Sequence, residues 1–401
     1  MESLKLHIIL ITALLGLMLV SPPNAAAFPA GTYAESSVLS SGKWVKISVT
    51  QSGMYLLSNA DLAKMGFSNP SRVRIYGYGG KRISDHLTLA NFTDDLPLVQ
   101  TAVTKRGIVF YGVGAEEWNA NSDGVLKYVR NPFSLRGYYY VTESDAPLRD
   151  ISSEGLASSS SGEQPATTAA SAVIHEQELI SPGLTGHYNV GEDFRFTQSR
   201  DFRFTLPGKV SDTDVRIECS FLTNSTLESR IILTANGTQL PQSASDVMQA
   251  SATSDACGDS CLSVKTIALD GNSLNLNVRL QTAGILSGAY LDYITVNYTR
   301  TLDTDAARAG FFITRSPFTI SGAQESDVVW DVTDPLDIHR MTTVAASGSL
   351  TVYPDRSGTR RYIVWSETAT LPSPAIAGTV RNQNLHAQPV PDMVIVSTQA
   401  L

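Results

Sequence analysis

"DVRIECSFL", Asp214 to Leu222, alternates residue by residue: Val215, Ile217, Cys219 and Phe221 are apolar, and the residues between them are polar at Arg216, Glu218 and Ser220. Successive side chains of a strand point to opposite faces, so this period of two is the signature of a strand with one face in a core. The pattern recurs on both sides, in "DFRFTLPG" (201–208), "SRIILTANG" (229–237), "SLNLNVRLQ" (273–281) and "LDYITVNYTRTL" (291–302). Turn residues separate these runs, and no long amphipathic helix interrupts them. An antiparallel sandwich is the natural packing for so many short strands. Cys219 lies on the apolar face and reads as a buried thiol rather than a catalytic one. "FFITRSP" (311–317), "DVVWDVT" (327–333), "SLTVYP" (349–354) and "RRYIVWSE" (360–367) continue the series. The β-sandwich region therefore spans 173–388, as one body or as two modules divided near 305.

Upstream, residues 28–150 read as a separate β-rich domain. "GKWVKISVT" (42–50) places Val45, Ile47 and Val49 on one face, and "RVRIYGYGG" (72–80), "GIVFYGVG" (107–114) and "GYYYVTE" (137–143) are further strands. "SNADLAKMGF" (58–67) is one short helix, with Ser58 as N-cap, Asp61 three residues on and Gly66 to end it. Between the two regions, "ISSEGLASSSSGEQPATTAAS" (151–171) is rich in Ser, Ala and Thr and has no apolar period, so 151–172 reads as a linker.

The first 27 residues have the layout of a secretory signal peptide: Lys5, an apolar run from Ile8 to Val20, a Pro-Pro break, then Ala25, Ala26 and Ala27. The run is shorter than the roughly 20 residues that span a bilayer, so cleavage is expected between Ala27 and Phe28, with no transmembrane segment in the mature chain. Of the 401 residues, 42% are hydrophobic and 17% charged, and the formal net charge is −8. That balance supports packed cores and disfavours nucleic acid as a partner.

The motifs that could carry chemistry resolve into turns. "GYGGKR" (77–82) lacks phosphate-loop spacing and precedes no helix. "NANSDG" (119–124) begins like a calcium loop, but Arg130 stands where a bidentate Glu is needed, so it reads as an Asx-rich turn. "DVTDPLD" (331–337) reads as a turn at Asp334-Pro335, with calcium the minor alternative. None of His7, His86, His175, His187, His339 and His386 has a second His at metal spacing. The loop "SDACGDSC" (254–261) leaves room for a small disulfide between Cys257 and Cys261. Asn91, Asn224, Asn236 and Asn297 start glycosylation-like sequons that a Thr-rich chain generates by chance. No catalytic, cofactor-binding or metal-ligating set emerges.

Taken in order, several of these stretches resemble the N-terminal region of the PorU-like sortases of the type IX secretion system, relatives of the gingipain (C25) cysteine peptidases. The resemblance runs through 42–80, through the Asn-Pro-aromatic-Ser motif of "RNPFSLRGYYYVTE" (130–143), and through "GEDFRFTQSRDFRFTLPG" (191–208). It continues in "LDYITVNYTRTL", "VVWDVTDPLDI" (328–338) and "NQNLHAQPVPDMVIVS" (382–397). "GHYNVGEDF" (186–194) departs from it, where the family has Gly-Arg and an aromatic before Gly-Glu. The resemblance implies that Met393–Val396 in residues 389–401 is the first strand of a truncated, caspase-like α/β peptidase domain, with the catalytic His and Cys absent from this chain. It also implies a chain inactive alone, exported to the periplasm or outer-membrane surface of a Gram-negative bacterium. Its partners would be the type IX secretion machinery or its cargo. A stand-alone exported binding or adhesion module is the alternative. Either way the expected fold is mainly β: an N-terminal domain with a short helix, then an antiparallel sandwich region.

Overall fold

The computed structural model describes residues 33–395 apart from 85, 89–90, 160–161, 183–188, 252–257, 283–287, 316 and 390. The expected cleavage position at Ala27 and Phe28 lies outside these residues, as do His7, His187, Cys257 and Val396. The chain forms two compact units. The larger comprises Gly42–Ile83 and Pro97–Arg381; the described residues of the smaller come from the segments 33–41, 84–96 and 382–395. Among the described residues no helix is long and apolar enough to cross a membrane.

The larger unit is mainly β, as expected. One sheet orders Ala375–Val380, Trp44–Val49, Gly137–Glu143 and Val73–Gly79; facing it, a three-stranded sheet orders Gly53–Ser58, Gly107–Gly112 and Thr101–Thr104. Val45, Ile47 and Val49 point into their common core with Leu57, Ile75, Phe110 and Tyr139. The expected helix is Asn59–Lys64, and Ser58 Oγ accepts the Asp61 N–H at 3.1 Å. Gly66, with φ +75°, ends it in the left-handed region that glycine tolerates. Its one core residue, Leu62, joins the same cluster.

A nine-stranded sheet forms the spine of the rest, with Asp214–Thr223 beside Asp259–Ala268 and Tyr290–Thr301. A five-stranded sheet containing Ser199–Thr205, Ser273–Thr282 and Ser229–Ala235 packs on it. The alternating residues meet in the middle: Val215, Ile217, Cys219 and Phe221 from one sheet, Leu274, Leu276, Val278 and Leu280 from the other. Beyond Leu302 a second core gathers Phe312, Phe318, Leu350 and Tyr362 under the continuing nine-stranded sheet. The short helix Thr304–Ala309 lies where one core gives way to the other, close to the division read near 305.

Much of the stretch read as a linker is built into sheets. Ser153–Glu154 pairs in parallel with His339–Met341, Leu156 bridges Tyr353, and Thr168–Glu176 pairs along its length with Tyr290–Thr301. A Ser/Ala/Thr-rich composition suits a strand whose neighbours supply the bulk as well as it suits a tether, so composition did not separate the two. The sequence halves also share a core. Met54, Leu56, Val109 and Tyr111 pack with Trp330, Ile363 and Trp365. Lys127 Nζ meets the buried Glu218 carboxylate at 2.7 Å, and the Asn297 side-chain amide bonds both backbone groups of Leu126. Finally, Ala375–Val380 returns to pair with Trp44–Val49.

Candidate functional site

The residues that sequence reading singled out are placed mostly as structural parts. Cys219 is fully buried in the sandwich core. Burial, with the Asp246 and Glu218 carboxylates second, pushes its thiol well above the usual range, so it stays protonated and is no nucleophile. Cys261, on Asp259–Ala268, is half-buried, with Sγ 3.4 Å from the Val247 carbonyl oxygen. Its suggested partner Cys257 lies outside the described residues.

The glycine loop is a matter of close backbone approach. A Cβ on Gly80 would stand 2.2 Å from the Gly114 carbonyl oxygen, and one on Gly137 would stand 1.9 Å from that of Val113. Only glycine fits where these chains cross, so no phosphate is needed to explain "GYGG". The Asn119–Gly124 stretch is the tip of the Glu116–Ala120/Leu126–Arg130 hairpin; Asn121 Oδ1 accepts the N–H groups of Asp123 and Val125 at 3.0 and 2.9 Å, an Asx turn. Asp331 pairs with Arg360, and Asp334 Oδ1 accepts the Leu336 N–H at 3.0 Å. Among the described residues no group of three His, Cys, Asp or Glu side chains could hold a metal ion.

Three histidines meet carboxylates that sequence spacing did not reveal. His175 Nε2 lies 2.7 Å from Glu192, in "GEDF". His339 is buried, 2.8 Å from Ser152 Oγ and 3.1 Å from Glu154, and so fastens the former linker. In the smaller unit, His386 bridges Ser37 Oγ and Asp94 Oδ1, each at 2.9 Å. That set has the composition of a hydrolase triad, but Ser37 is 2% exposed and its hydroxyl is already engaged by Gln383 and by the His386 N–H. A nucleophile must reach substrate, so the set is a clasp joining three distant chain segments.

Two hollows of the larger unit are lined in part by ionisable side chains. One, of about 520 Å³, sits beside the Asn-Pro-aromatic-Ser motif and gathers Glu176, Glu178 and Asp292 with Arg130, which pairs with Glu178 at 3.1 Å. Burial holds the Glu176 carboxyl above its ordinary range. Asn131 shapes the motif: its side chain accepts the Phe133 N–H at 2.9 Å and donates to the Gly80 carbonyl at 3.0 Å, leaving the Phe133 ring largely exposed. The other, about 650 Å³, opens along Thr101–Thr104 and includes Trp330, Arg340 and Trp365. Neither offers an activated nucleophile beside a base.

Fold and site thus define a β-rich assembly of a sandwich region and an N-terminal domain. Among solved structures, the chain is similar to dimeric latent PorU from Porphyromonas gingivalis, at 28% identity and a TM-score of 0.78, over 92% of this chain and 36% of that one. The fold is PorU-like, and the chain spans 36% of the length of the PorU chain that it matches. Likenesses to the insecticidal delta-endotoxin Cry8Ea1 of Bacillus thuringiensis (10% identity, 56% of this chain and 41% of that one) and to BuGH86 with neoagarooctaose (10%, 64% and 32%) have TM-scores of 0.23 and 0.22 and carry no argument. No protein-family model matches the chain, and no curated protein matches it.

Proposed function

We propose that this chain is the non-catalytic N-terminal portion of an exported PorU-like cysteine peptidase that processes the C-terminal sorting signals of type IX secretion cargo. The PorU likeness over 92% of the chain at 28% identity carries the reading. The quoted motifs support it by their order from residue 42 to residue 397. So does the chemistry: Cys219 is buried and protonated, and Ser37 is already hydrogen-bonded, so hydrolysis would be the task of residues outside this set. The β domains would then present or hold the peptidase at the periplasmic or outer-membrane surface, with secretion machinery or cargo as partners.

The test is an in-frame deletion of residues 173–380 from the chromosomal gene of the host, followed by immunoblots of secreted proteins that carry C-terminal sorting signals. Cargo that keeps its signal and accumulates unprocessed is the expected result. Normal processing and surface display of that cargo would overturn the reading and favour a stand-alone binding or adhesion module.

A further inference from the structure

The three-stranded sheet of Gly53–Ser58, Gly107–Gly112 and Thr101–Thr104 has two edges, and they are treated differently. On the Gly53–Ser58 edge, the outward Leu56 N–H donates to the Pro372 carbonyl at 3.0 Å. On the Thr101–Thr104 edge no strand among the described residues pairs beyond the one shared with Gly107–Gly112. The Asn59 N–H donates to the Arg106 carbonyl just past the Ser58–Gly107 pair, which sets the alternation along the middle strand. Ile108 and Phe110 turn their backbone groups to Gly53–Ser58; Gly107 and Val109 turn theirs to Thr104 and Ala102. Thr101 and Val103 are left with N–H and C=O aimed at the open side. A strand edge left bare and apolar is a hazard that proteins ordinarily cover or charge, yet Val103 is 45% exposed here.

That open side is a groove. All four residues Thr101 to Thr104 line it, although their side chains alternate between the two faces of the sheet, so the strand borders it by its edge. Its volume, about 650 Å³, is in the range of ligand sites. Two side chains on its wall hold polar atoms that lack a hydrogen-bond partner among the described residues: Thr101 Oγ1 and the Trp365 indole N–H, in residues 8% and 4% exposed. At the rim, Arg149 leans on Asp337 at 3.5 Å, while the Arg340 guanidinium makes no ion pair or hydrogen bond among the described residues. Asp150 and Glu367 add carboxylates, so the rim is mixed in sign. An unused donor and acceptor at every second residue is matched by one ligand chemistry: another extended polypeptide backbone.

We propose that the Thr101–Thr104 edge is a docking strand for an extended peptide segment, which adds to the sheet as a fourth strand and sets an acidic side chain against Arg340. Main-chain pairing supplies the affinity and makes recognition tolerant of sequence; Arg340 supplies preference. The inference rests on this groove alone and stands whether or not the PorU reading does.

The test uses the full chain and a fluorescein-labelled, end-capped hexapeptide of alternating valine and threonine with one central aspartate, followed by fluorescence anisotropy. Saturable binding is expected, with at least a tenfold loss on Val103→Pro. Proline on an open edge removes the outward N–H and spares the inner ladder. A smaller loss, a few-fold, is expected for Arg340→Gln. The same peptide N-methylated at alternate amides should fail to bind the unaltered chain, an arm that decides the matter even if Val103→Pro does not fold. No saturable binding below about 1 mM, or equal binding of the N-methylated peptide, would overturn the proposal.

Discussion

The sandwich core and the core shared between the chain's halves are both apolar and both made of strands, but they are closed over different distances. The sandwich core draws its residues from Phe194 to Tyr298. The shared core joins Met54, Leu56 and Tyr111 to Trp330, Ile363 and Trp365, more than 200 residues away. One could form from a contiguous stretch; the other exists only when both halves are folded. The shared core therefore couples the halves, and the largest effect is expected there. Trp330 is buried and packs edge-on against Trp365 at 5.2 Å. Trp330→Ala should cost about 3–5 kcal/mol, near the top of the range for core truncations. Because Trp330 bridges the halves, chemical denaturation should then split into two steps, with the sandwich unfolding last. A single transition merely shifted to lower denaturant would show that the halves unfold as one.

The second prediction concerns the polar tie between the same halves. Glu218 is 1% exposed and is held by Arg216 at 2.8 Å and, from the 126–130 hairpin, by Lys127 at 2.7 Å. Lys127→Met removes one partner and leaves the carboxylate buried with the other. A loss of about 1–3 kcal/mol is expected, the usual cost of leaving a buried charged group partly unsatisfied. Lys127→Met with Glu218→Gln should recover part of it, which denaturation of the single and double variants would measure.

These two ties also mark where sequence reading stopped. Alternation in "DVRIECSFL" told which side chains lie inside, and Val215, Ile217, Cys219 and Phe221 are all in the core. The cap at Ser58, the turn at Asn121 and the glycine turn at 77–82 were legible because each is set by neighbours within a few residues. What alternation cannot tell is which distant strand an apolar face meets. Hence the return of Ala375–Val380 to Trp44–Val49, the shared Trp330 core and the pairing of Ser153–Glu154 were missed. The groove was invisible for the same reason. Thr101–Thr104, "TAVT", carries no motif, and its interest lies in an edge that only the assembled sheet defines.

A third prediction is a pH dependence inside the sandwich region. Asp246 is buried against Lys265, Ser263 and the Ser243 N–H, with Lys265 Nζ at 2.6 Å. Burial alone would raise its carboxyl, but these donors outweigh burial and hold it below the ordinary range. A carboxyl depressed in the folded state stabilises above its unfolded pKa, and that stability is lost as pH falls through the folded value. The contribution is therefore intact at neutral pH and disappears in acid. Asp246→Asn should lower the neutral-pH melting temperature, by less than Lys127→Met does, and flatten the acid limb of the melting curve against pH. An unchanged acid limb would show that the pair contributes nothing.

The smallest effect is expected at Cys219, where the two kinds of reading meet. A catalytic thiol is exposed and has a depressed pKa; this one is fully buried, packed with Ile217, Phe221 and Ile294, and raised. Cys219→Ala removes one sulfur atom from a packed core and should cost about 1 kcal/mol, by the transfer and small-cavity terms alone. It should leave peptide binding at the 101–104 edge untouched, because the sulfur lies inside the sandwich core, none of whose residues lines the groove. In the unaltered protein, a thiol reagent at neutral pH should label Cys219 only at the rate of global unfolding, while Cys261, half-buried, reacts sooner. Fast labelling of Cys219 under native conditions would mean that the sandwich opens locally, and the sharp contrast between an autonomous core and a shared one would fail at its most buried residue.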